Sequence, residues 1–145
     1  MLGLMQLELV FGIHRATHQI GLYIQRHAAG LSQAEAHILC HLDEAGDSPL
    51  ADVHRAFAHK RSTLTGVLDR MEEEGLIRRE ASPDDRRSYV IQLTAAGKKK
   101  ASRIHKLLES LEAKALPAAG RGGVASFHKL VTALEAAATG STGSE

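Results

Sequence analysis

The sequence is short of aromatic residues: three phenylalanines, two tyrosines and no tryptophan make up 3% of its 145 residues. A core must therefore be built from aliphatic side chains and alanine, which favours packed helices over a large sheet. A single cysteine, Cys40, excludes an internal disulfide framework. No apolar run reaches the ~18 to 20 residues that a membrane-spanning helix needs. These absences predict a soluble, mainly α-helical chain of about one domain.

The opening residues do not have the pattern of a secretory leader. No basic residue precedes Arg15, and Gln6 and Glu8 interrupt the first apolar run. We therefore expect a cytoplasmic protein with no membrane partner. The net charge is only +1, so the placement of the basic residues matters more than their number. They cluster in three stretches, residues 60–70, 86–87 and 98–106.

Three helix signals follow one another in the middle of the chain. Ser32 and Glu35 have the spacing of a capping box, and Ser48 before Pro49 predicts a second helix start. A third helix is expected from Arg61 to Glu74, ended by Gly75. Its apolar face carries Leu64, Val67, Leu68 and Met71.

A hairpin is predicted after Gly75. The β-prone runs LIRRE and SYVIQLT flank a polar SPDD tip, which indicates two strands and a turn. Thr94 then caps a further helix. Short helices followed by a two-stranded hairpin form a winged helix-turn-helix, a DNA-binding module that we assign to residues 31–97.

Both ends of the chain read as amphipathic helices. Apolar residues recur at spacings of three and four from Leu2 to Tyr23, on more than one side of a helix within residues 1–30, and recur again from Val124 to Ala138. One small chain cannot cover these stripes, so we expect residues 1–30 and 98–139 to hold a homodimer. The tail, residues 140–145, is expected to be disordered.

Three segments in this order and spacing resemble the MarR family of winged helix-turn-helix transcriptional regulators: LSQAEAHILCHL, KRSTLTGVLDRMEEEGLIRRE and SPDDRRSYVIQLTAAG. The resemblance covers nearly the whole chain. It implies a mainly α fold whose terminal helices interlock as a dimer, a third helix that enters the major groove of double-stranded DNA, and a wing that reaches the minor groove. It further implies a repressor, released from a palindromic operator by a small effector, with no cofactor.

The expected DNA contacts are basic or short polar side chains on the third helix and the wing: Lys60, Arg61, Ser62, Thr63, Thr65, Arg70, Arg86 and Arg87. By the wing pattern of the family, Asp85 positions the loop or its arginine rather than touching DNA. Two positions depart from the family pattern. A polar cap such as serine is usual where Lys60 stands, and a basic or larger residue is common where Gly66 stands.

The effector is expected to be a small phenolic or other anionic molecule. The helices that line the effector cleft in the resembled family carry His14, Arg15, His18 and His41 here, and all four side chains offer hydrogen-bond donors.

Two alternative functions stay open. One is a metal- or redox-responsive regulator using the histidine pairs, His14 with His18 and His37 with His41, or Cys40. The other is a winged-helix interaction module that does not bind DNA. The sequence contains none of the common catalytic motifs, so we expect no enzyme and no metal site.

Overall fold

The computed structural model of the protein describes residues 7–28, 30–57, 60–85 and 87–140. Its elements, in chain order, are α1 (Glu8–His27), α2 (Gln33–Ala45), β1 (Ser48–Pro49), α3 (Leu50–Phe57), α4 (Arg61–Glu73), β2 (Ile77–Ala81), β3 (Tyr89–Leu93), α5 (Ala95–Ala115), a 3₁₀ turn (Leu116–Ala119) and α6 (Gly123–Thr139). The predicted mainly helical winged helix-turn-helix is confirmed. Contacts divide the chain into two compact units, Met1–Leu107 and Leu108–Glu145.

The core of the first unit is aliphatic, as the low aromatic content predicts. All four apolar residues of the predicted α4 stripe are buried, and they share the core with residues of the other helices and strands, including Ile24, Ile38, Leu39, Val53, Ile77, Ile91 and Ile104. Full burial of such a side chain stabilises the fold by about 1.5 to 3 kcal/mol. One face of α4 is thereby anchored, and its opposite face is left at the surface.

The sheet has three antiparallel strands in the order β1-β3-β2. The predicted wing is its β2–β3 hairpin, in which Arg79 pairs with Ile91. The predicted second helix start is confirmed, because α3 begins at Leu50. Ser48 does not cap it, since Ser48 is a buried residue of β1 that pairs with Ile91. Its hydroxyl donates to the carbonyl of Gly46 at 2.8 Å. Proline suits a short edge strand, and α3 begins one residue later.

Gly75 ends the α4 segment, as predicted. It adopts a left-handed φ of 75°, which a residue with a side chain rarely does. Its amide donates to the carbonyl of Glu72 at 3.0 Å, and the next amide, of Leu76, donates to the carbonyl of Met71 at 2.9 Å. These bonds satisfy the last carbonyls of the helix and turn the chain into β2.

Thr94 caps α5 and joins it to the end of α4. Its hydroxyl accepts from the Gly97 amide at 3.0 Å and donates to the Gly75 carbonyl at 2.6 Å. Its own amide donates to the Leu76 carbonyl at 3.1 Å. Gly97 lies so close to this junction that a Cβ there would collide with the carbonyl oxygen of Leu76. The predicted cap is confirmed, and the glycine is required by close approach.

The terminal helices leave most of their apolar stripes uncovered within the single chain. Ile24 is the one buried residue of α1, whereas Leu9, Val10 and Phe11 are exposed, so burial on more than one side of this helix is not seen. In the second unit, α6 has no buried residue. Among the described residues, no helix is long and apolar enough to cross a membrane.

Candidate nucleic-acid interface

The start of α4 presents a polar surface. Lys60, Arg61, Ser62, Thr63 and Thr65 are all exposed. Leu64 lies between them in sequence but is buried, because it belongs to the anchored face. The structure therefore brings five of the predicted DNA contacts together within residues 60–65, at the start of α4.

No described side chain caps the N-terminus of α4. Lys60 occupies the cap position, and its ammonium group is a donor that cannot accept from the helix amides. The first-turn amides thus keep their hydrogens for another acceptor, and they carry the positive end of the helix dipole. An anion is the chemical group that this end suits best.

Thr65 is restricted by a bond inside the helix. Its hydroxyl donates to the carbonyl of Arg61 at 2.8 Å. The hydroxyl hydrogen is therefore occupied, while its lone pairs and methyl group remain at the surface. Such a side chain can accept a hydrogen bond or contact a methyl group.

Arg70 lies toward the other end of α4 and has a partner inside the protein. Its Nη2 atom is 3.5 Å from Oε1 of Glu35, and the two side chains are 59% and 4% exposed. Glu35 is held near the start of α2, where its amide donates to the Ser32 hydroxyl at 3.2 Å, as the capping box predicts. The Arg70 guanidinium therefore lies apart from the cluster at the helix start.

Glu35 is an unusual buried acid. Burial raises the pKa of its carboxyl, and the nearby Glu74 adds to the rise, while Arg70, the Ser32 amide and Lys100 oppose it. Its Oε2 atom is buried and has no hydrogen-bond partner among the described residues. The charged form of Glu35 is therefore less favourable in the folded protein than in water.

The wing loop is organised by Asp85. Its carboxylate accepts from the backbone amide of Arg87 at 2.9 Å, and its carbonyl accepts from the amide of Ser88 at 3.0 Å. The Arg87 side chain is exposed. Asp85 thus contacts the loop backbone, which leaves the Arg87 guanidinium at the tip. The predicted contact Arg86 lies outside the described residues.

Arg79 is a side chain that the sequence analysis did not single out. From β2 it reaches two carboxylates of α4, with Nη2 2.6 Å from Asp69 and Nε 3.3 Å from Glu72. Its hydrogen bond is the main cause of a lowered pKa of Glu72. The spacing of Asp69 and Glu72, three residues apart on one face of α4, was visible in the sequence. That Arg79 is their partner follows only from the fold.

The predicted effector residues lie on two helices. His14, Arg15 and His18 are exposed along α1. His41 lies on α2, with its ring edge-on to Phe57 and the ring centroids 5.6 Å apart. A role of these four side chains toward an effector stays a prediction.

A basic cavity lies elsewhere in the first unit. It has a volume of about 430 Å³ and lies between the end of α1 and the first half of α5; its lining is His27, Ala28, Lys100, Arg103, Ile104 and Leu107. The Nδ1 atom of His27 is 2.9 Å from the carbonyl oxygen of Tyr23, which assigns the ring hydrogen to Nδ1 when the histidine is neutral. The cationic side chains of Lys100 and Arg103, beside the aliphatic side chains of Ile104 and Leu107, suit an anion with an apolar body.

The metal and redox alternatives gain little from the geometry. In the ranges that the structure covers, no three histidine, cysteine or acidic side chains meet where they could hold a metal ion. Burial, followed by the charges of Glu44 and Asp43, raises the pKa of the Cys40 thiol to about 11. At neutral pH this thiol is protonated, and a protonated thiol is a poor nucleophile and a poor target for oxidants.

Comparison with known proteins defines the class. The MarR family profile matches residues 31–89. The Escherichia coli transcriptional regulator HosA is 33% identical over 94 residues, which cover 59% of this chain and 69% of HosA. The chain belongs to the MarR family of transcriptional regulators. An uncharacterised regulator of Bacillus subtilis, YfiV, is 36% identical over 69 residues, 48% of this chain but only 43% of YfiV.

The fold is also similar to that of a protein solved on DNA. The overoxidised regulator AbfR, in a crystal structure bound to DNA, superposes with a TM-score of 0.72 over 88% of this chain and 90% of AbfR, at 21% identity. At this identity the likeness concerns the fold.

Proposed function

We propose that the protein is a homodimeric repressor that binds a palindromic operator through α4 and the wing and is released by a small anionic effector. The observation that carries this proposal is the start of α4. Basic and short polar side chains are exposed there, next to helix amides that the Lys60 side chain does not cap. The opposite face of the helix is apolar and buried. This arrangement presents one helix face to an extended anion.

Each part of this surface has a distinct role toward DNA. Lys60 and Arg61, together with the free amides, bind phosphates, which sets the register of the helix. Ser62, Thr63 and Thr65 have short side chains, so the helix can approach closely enough for their hydroxyl groups to contact base edges in the major groove. Arg70, being shared with Glu35, contacts phosphate at the margin of the interface.

The wing extends the contact to the minor groove. A narrow minor groove concentrates negative potential, so an exposed arginine at a hairpin tip binds there without a base-specific partner. Arg87 supplies that group, Asp85 orders the loop, and Arg86 flanks it. The Asp85 carboxylate accepts from the loop backbone and so orders the loop, whereas a carboxylate that faced phosphates would be repelled.

A second copy of the chain covers the terminal helices. Phe11 on α1 and Phe127 on α6 are 57% and 55% exposed in the single chain, beside other exposed apolar residues. On each of these helices, exposed apolar surface of this kind marks an interaction site. Two recognition helices related by a twofold axis then meet half-sites whose centres lie about 34 to 36 Å apart.

The cavity beside α5 is the proposed effector site. Lys100, Arg103 and His27 bind the anionic group, and Ile104 and Leu107 contact its apolar part. Binding lowers operator affinity only if the effector prefers the DNA-free arrangement. A thermal-shift assay with salicylate as the probe tests this site. The site is supported if salicylate stabilises the parent and the control variant Lys106→Gln but does not stabilise Arg103→Gln. Stabilisation that is equal in all three proteins contradicts it.

The function is tested by the salt dependence of binding to DNA that flanks the protein's own gene. If each protomer neutralises about three or four phosphates, the slope of log affinity against log salt is about −5 to −7. A slope near zero, or no binding, would instead favour the winged-helix interaction module. A gel-shift titration at several salt concentrations separates these outcomes.

A further inference from the structure

The contact between β2 and α4 has a role beyond packing. We propose that Arg79, Asp69 and Glu72, here named the α4–β2 clamp, fix the angle between the recognition helix and the wing, so that Arg79 positions the DNA-binding surface without touching DNA. This inference rests on the proposed function. It assigns a role to one basic and two acidic residues that the expected DNA contacts leave out.

The clamp is built from several hydrogen bonds of one residue. The Arg79 guanidinium donates to Asp69 Oδ1 at 2.6 Å and to both oxygens of Glu72 at 3.3 Å. The backbone amide of Arg79 also donates to Glu72 Oε2, at 3.1 Å. Because the guanidinium is planar and rigid, bonds from its separate nitrogens fix orientation as well as distance.

The hairpin transmits this orientation to the wing tip. β2 and β3 pair over five residues each, and Arg79 lies opposite the buried Ile91, so the hairpin moves as one piece. At ~3.3 Å per residue, the segment from Arg79 to Asp85 spans at most about 20 Å. A rotation of about 10° at Arg79 would therefore move the tip by up to about 3.5 Å, which is enough to break a hydrogen bond to DNA.

The negative charges of Asp69 and Glu72 allow the clamp to be told apart from a simple charge effect on DNA affinity. Asp69 and Glu72 are 49% and 41% exposed, and carboxylates on a helix that approaches phosphates oppose binding. Removing them should strengthen DNA binding if they act only through charge. Removing them should weaken it if they hold the wing, because the cost of a misplaced wing exceeds a partly neutralised repulsion. Arg79 already offsets both charges by direct contact.

The test compares variants of the full-length protein by fluorescence anisotropy on operator DNA at matched salt. We expect Arg79→Gln to lower affinity by about tenfold and the double variant Asp69→Asn, Glu72→Gln to lower it to a similar extent. Adding Arg79→Gln to the double variant should cause no further loss, because the clamp is already open. Arg78→Gln is the matched control, since alternation along β2 places Arg78 on the opposite face, and it should lose less than about threefold.

Two further readouts distinguish positioning from direct contact and from misfolding. Hydroxyl-radical footprints of Arg79→Gln should lose the minor-groove protection by the wing and keep the major-groove protection by α4. The melting temperature and the dimer mass of Arg79→Gln should differ from those of the parent by no more than the corresponding values of the control variant Arg78→Gln do.

Several outcomes would overturn the clamp. Parent-like affinity of Arg79→Gln, a footprint that keeps the minor-groove protection by the wing, or tighter binding by the Asp69→Asn, Glu72→Gln variant would each do so. A parent protein that binds no DNA would overturn the proposed function itself, and the role of the clamp with it. Specific binding by the parent together with unaffected binding by Arg79→Gln would reject the clamp alone.

Discussion

The winged-helix region and the last helix use similar apolar patterns in opposite ways. In α4, residues at spacings of three and four are buried in the core of their own unit. In α6, residues at the same spacings stay at the surface, and none is buried. Periodicity therefore predicts a helix with an apolar face, but not whether the same chain covers that face. Under the proposed function, the polar face of α4 binds DNA and the apolar face of α6 binds a second copy of the chain.

The largest expected effect tests the apolar face of α6. Phe127→Ser should weaken dimerisation by about 1.5 to 3 kcal/mol for each of its two copies, because every interface buries the phenyl ring twice. Sedimentation equilibrium measures the association constant directly. Lys129→Ser, an exposed polar position on the same helix, is the control and should leave association unchanged. Equal association of all three proteins would mean that α6 is not the interface.

The second prediction concerns the junction that supports the winged-helix region. Gly97→Ala should destabilise the fold by about 3 kcal/mol, because the added methyl collides with the Leu76 carbonyl, a backbone atom that cannot rotate away. Denaturant unfolding provides the measurement. Gly66→Ala is the matched control: apart from its chain neighbours and the nearby backbone of its own helix, no described atom lies within 4 Å of a Cβ there, so the change should stabilise α4 by about 1 kcal/mol. Similar stability changes at both positions would reject this account of the junction.

The smallest effect concerns the buried acid behind α4. The pKa of Glu35 is raised in the folded protein, so the native state binds its proton more tightly than the unfolded chain does, and stability falls as pH rises through that range. Glu35→Gln retains a side chain suited to the capping box and removes the titration. The variant should match or exceed the stability of the parent at neutral pH. Thermal melts across the acidic to neutral range that stay parallel for both proteins would contradict this assignment.

Local rules made much of the winged-helix module predictable from the sequence. The buried stripe of α4 follows from helical periodicity, the left-handed turn at Gly75 from the absence of a side chain, and the cap at Thr94 from its hydroxyl. Each of these depends on residues within about one turn. The structure agrees with the sequence at all three points.

Features set by long-range contacts were not predictable in this way. Ser48 and Pro49 carry a local helix-start signal, yet their pairing with Ile91 and Val90 of β3 makes them a short strand. Arg79 meets acids seven and ten positions earlier in the chain only because β2 returns along α4. The basic cavity likewise joins His27 to Lys100 and Arg103, which no spacing rule connects.

The most direct test of the central claim is the operator affinity of Arg87→Ala at matched salt. If the wing binds the minor groove, this variant should lose about 1 to 3 kcal/mol of binding free energy across operator variants, with folding and dimerisation intact. Arg121→Ala, which removes an exposed arginine of the second unit, should bind like the parent. Arg87→Ala protein that binds the operator as tightly as the parent would contradict the account.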